Sequence, residues 1–141
     1  MALYASPFSA NNLAKGAKIK ASNIRGKNFS VNNILDNNKE TYWATTDNIH
    51  TAGLEIDLGT AKTFDIISLQ EYIPLGQRIE EFNVEVFENN AWKKVYSGES
   101  IGAKSLIMLD KPLTAQKLRL NITKSPVCIT LSEFGVYKKS L

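Results

Sequence analysis

Six consecutive residues, Asp36-Asn37-Asn38-Lys39-Glu40-Thr41, gather carboxylate, amide and hydroxyl oxygens into one short stretch. Calcium takes about six to eight such hard oxygens, and a tight turn lets side-chain and main-chain oxygens converge on one point. The spacing is not that of an EF-hand, because Thr41 stands where that loop needs glycine and Asp47 where it needs glutamate. Asn and Asp also bond their own backbone in ordinary turns, so on residue types alone a plain turn stands ahead of an ion site.

Other chemistries lack their parts. The one histidine, His50, and the one cysteine, Cys128, form a formal pair. Cys128 lies in the apolar run Val127-Cys128-Ile129, which predicts a small buried residue rather than an activated thiolate. A serine triad would depend on the one histidine, and two Cys and His residues are too few for zinc. Neither Gly-x-Gly-x-x-Gly nor a Gly-x4-Gly-Lys phosphate loop occurs. The adjacent Glu80-Glu81 would point to opposite faces of a strand, so they read as solvated charges rather than a catalytic pair. No catalytic residue is expected in this chain.

The elements that must position these residues follow a period of two. Leu54, Ile56 and Leu58 alternate with Glu55 and Asp57 before Gly59, and Phe82, Val84 and Val86 alternate with Asn83 and Glu85 up to an Asn89-Asn90 turn. Residues 92–96 resume after that turn as the second arm of a hairpin. Segments 17–22, 64–72, 105–109, 118–122 and 129–137 complete a set of eight short strands separated by Gly, Asn, Pro and Lys clusters. This is the pattern of an all-β sandwich. Residues 32–46 show no sustained alternation and are expected to form a structured loop. The domain division is a linker or terminal edge over 1–11 and one sandwich over 12–139.

Composition agrees with one folded domain. Of 141 residues 43% are hydrophobic and 22% charged, far from the signature of disorder. The 17 basic and 14 acidic residues are interspersed, which argues against nucleic acid as a partner. No window approaches the roughly eighteen apolar residues of a membrane span, and the first residues do not read as a signal peptide. A single cysteine excludes an internal disulfide.

Read in order, three segments resemble a known family: the Asp36 turn with Tyr42-Trp43, then Gly53-Leu54-Glu55-Ile56-Asp57-Leu58-Gly59, then Ser132-Glu133-Phe134-Gly135-Val136-Tyr137. They resemble the discoidin family, also called coagulation-factor type C domains, many of which are family 32 carbohydrate-binding modules. Residues 69–82, Leu69-Gln70-Glu71-Tyr72-Ile73-Pro74-Leu75-Gly76-Gln77-Arg78-Ile79-Glu80-Glu81-Phe82, look like the C-terminal β-sandwich domain of family 29 α-L-fucosidases. The stretch Asn12-Leu13-Ala14-Lys15-Gly16-Ala17 is similar as well.

The resemblance implies an eight-stranded jelly-roll β-sandwich of galactose-binding-domain-like topology, attached to a catalytic barrel outside this chain. It implies a structural calcium ion held by Asp36, Asn38, Thr41 and Glu133, with backbone carbonyls near Leu35. Asn38 stands where the family's commoner pattern has Asp, which removes one charge from the set. Sugar-binding members use loops at one end, here 23–28, 45–50, 72–78 and 124–128, with His50, Tyr72 and Arg78 as the ligand-binding candidates. Many of those members carry an arginine directly after the loop proline, where this chain has Leu75. Trp43 is expected in the core under the calcium turn. Trp92, in a hairpin strand, reads as packing. The function implied is a carbohydrate-binding accessory module, for galactose- or fucose-containing glycans, of a secreted, periplasmic or cell-surface α-L-fucosidase. The alternative is a structural domain that packs against the catalytic barrel and binds no sugar.

Overall fold

Alternation through the start of Ala52–Gln70 buries Leu54 and Ile56 fully and Leu58 almost so, leaving Glu55 and Asp57 on the other face. The strand does not end at Gly59, as the spacing of apolar residues predicts. It turns a corner there, with Gly59 at a φ of 90° and its N–H donating to Asp57 Oδ1 at 2.9 Å, and runs on to Gln70. Only glycine takes that φ without strain. The computed structural model describes residues 12–36, 38, 40–102 and 105–138. The expected edge over 1–11, and residue 139, lie outside them.

The described residues form eight strands: β1 (Lys18–Ala21), β2 (Trp43–Ala44), β3 (Ala52–Gln70), β4 (Glu81–Glu88), β5 (Ala91–Gly98), β6 (Ser105–Lys124), β7 (Thr130–Leu131) and β8 (Glu133–Tyr137). They differ from the expected eight in three ways. The segments 54–58 and 64–72 are the two halves of β3, and 105–109 and 118–122 the two halves of β6. The loop over 32–46 contains a short 3-10 turn, Val31–Leu35, and the two-residue strand β2. The last segment divides at Ser132 into β7 and β8.

Hydrogen bonding orders the strands β1-β3-β6-β4-β5, with β8 added to β3, and every pairing is antiparallel. Register shifts in β3 against β6, between Asp57 and Lys62 and between Phe64 and Ile66, mark the corner. Before it lie five strands. After it, β3, β6 and β8 form the second layer of the sandwich. One apolar cluster fills the space between, taking Leu54, Ile56, Val84, Leu118 and Leu120 from the first layer and Phe64, Ile67, Phe134 and Val136 from the second. Trp43 is fully buried in it, as expected. The hairpin turn at Asn89 and Asn90 has φ values of 54° and 64°, the conformation in which Asn is tolerated and strand twist is matched.

Asn12 closes the fold. Its Oδ1 accepts from Ala14 and Val136 N–H groups and its Nδ2 donates to Phe134 O, fastening the start of the sandwich to β8. Among the described residues no helix is long and apolar enough to cross a membrane.

Candidate functional site

The four loops expected at one end do meet there. Strand β2 pairs with β7, which holds segments 45–50 and 124–128 side by side, and Thr45 locks them by exchanging bonds with Ile129. Asn23 ties in the first loop: its carbonyl accepts from Trp43 Nε1 at 2.9 Å and its Oδ1 from Thr46 N at 2.8 Å. The 72–78 loop is anchored by Glu71. Glu71 is 2% exposed, and its carboxylate accepts from Arg78 N, Ile79 N and Gly102 N at 2.7, 3.0 and 2.8 Å. Three backbone donors satisfy this buried carboxyl group.

On that frame Arg78 Nη1 donates to Cys128 O at 3.0 Å and lies 3.1 Å from Cys128 Sγ. Arg25 Nη2 lies 3.3 Å from the same sulfur and bonds Asp47 Oδ1. Hydrogen bonding to Asp47 holds the Arg25 guanidinium above its ordinary pKa, and Arg25 holds the Asp47 carboxyl below the usual carboxylate range. Cys128 is therefore not the small buried residue its apolar run predicts. It is half-buried between two guanidiniums, because the turn closed by Ser125 Oγ on Val127 O points Ile129 into the core instead.

Tyr72 stacks on Tyr42 with centroids 4.0 Å apart and planes at 17°, and Tyr42 meets Phe29 at 5.3 Å. His50 is exposed just before β3, without a hydrogen bond to a described residue. Tyr72 and Arg78 thus sit in one fixed loop, and His50 is not joined to them. Sequence reasoning missed Arg25, Tyr42, Asp47 and Glu71. Their partners lie 22 to 30 residues away for Arg25–Asp47 and Tyr42–Tyr72, beyond any local pattern.

The Asp36 turn lies beside these loops. Asp36 Oδ1 accepts from Asn38 N at 2.9 Å, and Asn38 Oδ1 from Glu40 N at 2.9 Å. The Thr41 hydroxyl faces Asp36 Oδ2, the Asn38 carbonyl at 3.0 Å and the Asn33 carbonyl at 3.4 Å, three acceptors for a single proton. Leu35 ends the 3-10 turn directly before Asp36. Glu133, at the start of β8, brings its carboxylate to the same place. Burial first and the charge of Asp36 second push the Glu133 carboxyl up to about 7, against a lowering bond from Asn38 N–H. Its Oε1 is buried with no hydrogen-bond partner among the described residues. The donor set Asp36, Asn38, Thr41 and Glu133 is all oxygen, partly orphaned and rich in negative charge, and it fits a hard cation. No three His, Cys, Asp or Glu side chains converge among the described residues, so carbonyl, amide and hydroxyl oxygens would have to complete any shell. Asn33 links this turn to the loops: its Nδ2 donates to the carbonyl of Tyr42 at 3.0 Å.

The model of the F5/8 type C domain matches residues 18–134. The chain belongs to the F5/8 type C family. This F5/8 type C module is 29% identical over 133 residues to Alpha-L-fucosidase 1 of Arabidopsis thaliana, an alignment covering 91% of the chain and 26% of that protein. A GH29 fucosidase of Ruminococcus gnavus, solved in complex with fucose, superposes with a TM-score of 0.86 and 36% identity over 94% of this chain and 28% of its own. The family 32 module of C. perfringens NanJ, in complex with galactose, superposes at a TM-score of 0.77 and 19% identity, over 86% and 93% of the two chains, and so shares the fold. The module spans about a quarter of the length of the curated relatives it matches. It is an accessory module, homologous to the non-catalytic part of GH29 α-L-fucosidases.

Proposed function

We propose that this F5/8 type C module is the carbohydrate-binding accessory domain of an α-L-fucosidase, with its sugar end on loops 23–28, 45–50, 72–78 and 124–128. The observation that carries this reading is the convergence of Tyr72 and Arg78 on one loop that Glu71 and Cys128 hold fixed. A sugar site needs an aromatic plate for the apolar face of the ring and a few immobile polar groups for its hydroxyls. Tyr72, backed by Tyr42, supplies the plate. Arg78, Arg25 and the exposed His50 supply the donors. Fucose- and galactose-containing glycans are the ligand class that the fucosidase relatives and the galactose-bound neighbour support. The parent would work outside the cytoplasm, secreted, periplasmic or at the cell surface. Calorimetric titration of the chain with fucose and galactose, together with a glycan array, tests the reading. Silence throughout, at millimolar ligand, overturns it.

In the same proposal calcium is structural, held by Asp36, Asn38, Thr41, Glu133 and the carbonyl of Leu35. Its charge would neutralise the carboxylates that crowd there and fix the turn that Asn33 joins to Tyr42.

One observation favours a second reading. Ile24, Ile73, Leu75 and Val127, each 41–45% exposed, sit on the same loops. Exposed apolar side chains gathered at one end suit contact with another protein surface, here the catalytic barrel of the parent. Removing the module from the parent separates the two. A truncated enzyme that aggregates, beside a module that binds no sugar, supports the packing role.

A further inference from the structure

The outward face of the five-stranded layer is organised in rungs. Register places Lys20 of β1 opposite Glu55 of β3, Glu55 opposite Arg119 of β6, Arg119 opposite Glu85 of β4, and Glu85 opposite Lys94 of β5. Cation and carboxylate alternate across all five strands, so no single sign of field stands over the face. The neighbouring rung is neutral: Gly53, Asn121 and Asn83. Two adjoining depressions, of about 370 and 750 Å³, lie on this face and share Ser22, Gly53 and Asn121. They form one trench that crosses the strands with Gly53, which lacks a side chain, on its floor. Five strands spaced about 4.8 Å apart give it a span of roughly 19 Å.

The polar groups of the trench are oriented. Asn121 Nδ2 donates to Glu85 Oε1 at 2.7 Å and to Asn83 Oδ1 at 2.9 Å. A carboxylate only accepts, so Glu85 fixes which end of the Asn121 amide faces it, and Asn121 in turn fixes Asn83. Arg119 holds Glu85 from the other side at 3.4 Å and lies 3.9 Å over the ring of Trp92. Asn121, Asn83 and Glu85 line the trench, and these bonds do not use the Asn121 carbonyl oxygen, the Asn83 amide N–H groups or the second Glu85 oxygen. Asn121 Oδ1 stands over the floor, 3.4 Å from where a Cβ at position 53 would lie. The Ser22 hydroxyl, which accepts from Gly53 N at 3.0 Å, keeps its own proton to donate. Half-buried Trp92, two residues before Lys94 on the same face, lies one rung beyond the trench and backs Arg119.

We infer that this face carries a second glycan site, a trench over Gly53 in which Ser22, Asn83, Glu85, Arg119 and Asn121 hold an extended, neutral oligosaccharide chain. Donors and acceptors interleave at fixed positions, as hydroxyl groups of a sugar chain require, and the carboxylates of Glu55 and Glu85 set among Lys20, Arg119 and Lys94 disfavour a chain carrying one sign of charge. A length of five strands suits a chain rather than a single ring. The site is on the face of a sheet, with Gly53, Asn83 and Asn121 on strands rather than on the loops of Arg25, Tyr72 and Arg78, although Ser22, Thr51 and Thr123 at its edge adjoin three of the loops at that end, and it does not depend on their binding sugar.

The test is an amide-resolved NMR titration of the whole chain with cellohexaose, xylohexaose and mannohexaose. At least one of these neutral chains is expected to shift the backbone signal of Gly53 and the side-chain amides of Asn83 and Asn121, leaving the signals of Arg25, Tyr72 and Arg78 unmoved. Gly53→Leu places a side chain on the floor and should weaken that binding by about tenfold or more, the loss that follows when paired polar groups are left unpaired. If Gly53→Leu does not fold, Asn83→Ala and Asn121→Ala carry the same expectation, checked against an unchanged melting curve. Arg78→Ala should leave it unaffected. The inference is overturned by silence of all three chains at millimolar concentration, by shifts confined to the loop end, by response to a sulfated heparin oligosaccharide alone, or by Asn83→Ala and Asn121→Ala both binding as the native chain does.

Discussion

The carboxylates of Asp36, in an early turn, and Glu133, on the last strand, meet at one place, close enough that the charge of Asp36 raises the cost of ionising Glu133. A divalent cation there would turn that repulsion into attraction for both.

Chelation should therefore lower the melting temperature. With free calcium at about a hundred times its dissociation constant, the ion would contribute about 2.7 kcal/mol, or roughly 5–10 °C for a domain of this size. Asp36→Ala should melt at the chelated temperature whether calcium is added or not. Glu133→Gln separates ion binding from ordinary packing: it removes the repulsion and should stabilise the chelated protein while destabilising the calcium-loaded one. A loss of stability in both conditions would count against the ion.

Glu71 should be the most sensitive position of the loop end. Glu71→Ala leaves the N–H groups of Arg78, Ile79 and Gly102 without an acceptor, and buried orphan donors cost about 1–3 kcal/mol each. A destabilisation of roughly 3 kcal/mol or more is expected in urea unfolding. Glu71→Gln should cost less, since one oxygen still accepts.

Tyr72 and Arg78 should divide binding from stability. Arg78→Ala removes its bonds to Cys128 O and Leu75 O, worth about 1 kcal/mol each at most on an exposed loop. Tyr72→Ala loses a stacked pair worth about 0.5–1.5 kcal/mol beyond its area. Both variants should stay folded by circular dichroism and lose affinity for the sugar that the native chain takes up, the Tyr72 variant more so. Unchanged affinity in both would move the ligand elsewhere.

Acid should reveal Asp57. Bonds from Gln116 Nε2 and from Gly59 N–H hold its carboxyl below the ordinary value of 3.8. A depressed pKa in the folded state contributes stability that is fully present above the unfolded pKa and disappears as pH falls through the folded one. Asp57→Asn should be less stable than the native chain at neutral pH, and the gap should close progressively below about pH 4, as thermal melts across that range would show. A gap of constant size would mean that the carboxylate's charge plays no part in holding the corner.

Local features were legible and distant ones were not. Leu54, Ile56 and Leu58 declared a half-buried strand because the period of two is written in neighbouring residues, and Asn89-Asn90 declared a turn because few residues tolerate positive φ. The continuity of β3 through Gly59 was hidden, since glycine marks both the end of a strand and a bend within one. Strand β2 was hidden as well: two residues carry no period, and Trp43–Ala44 becomes a strand only by meeting Thr130–Leu131. Placing Asp36 and Glu133 together rested on resemblance, because no spacing rule joins positions so far apart. Cys128 misled for a related reason. Its apolar neighbours were visible in the chain, but the two arginines beside its sulfur arrive from other loops.

Because β3 and β6 each pass from one layer into the other, side by side, the two halves share ladders of backbone bonds before and after the corner, interrupted only at its bulges. Amide exchange should then slow to a common rate in both halves of each strand, and thermal fluctuation should concentrate in the end loops. Any molecule that settles on this scaffold meets a surface shaped beforehand, as a key meets a cast lock.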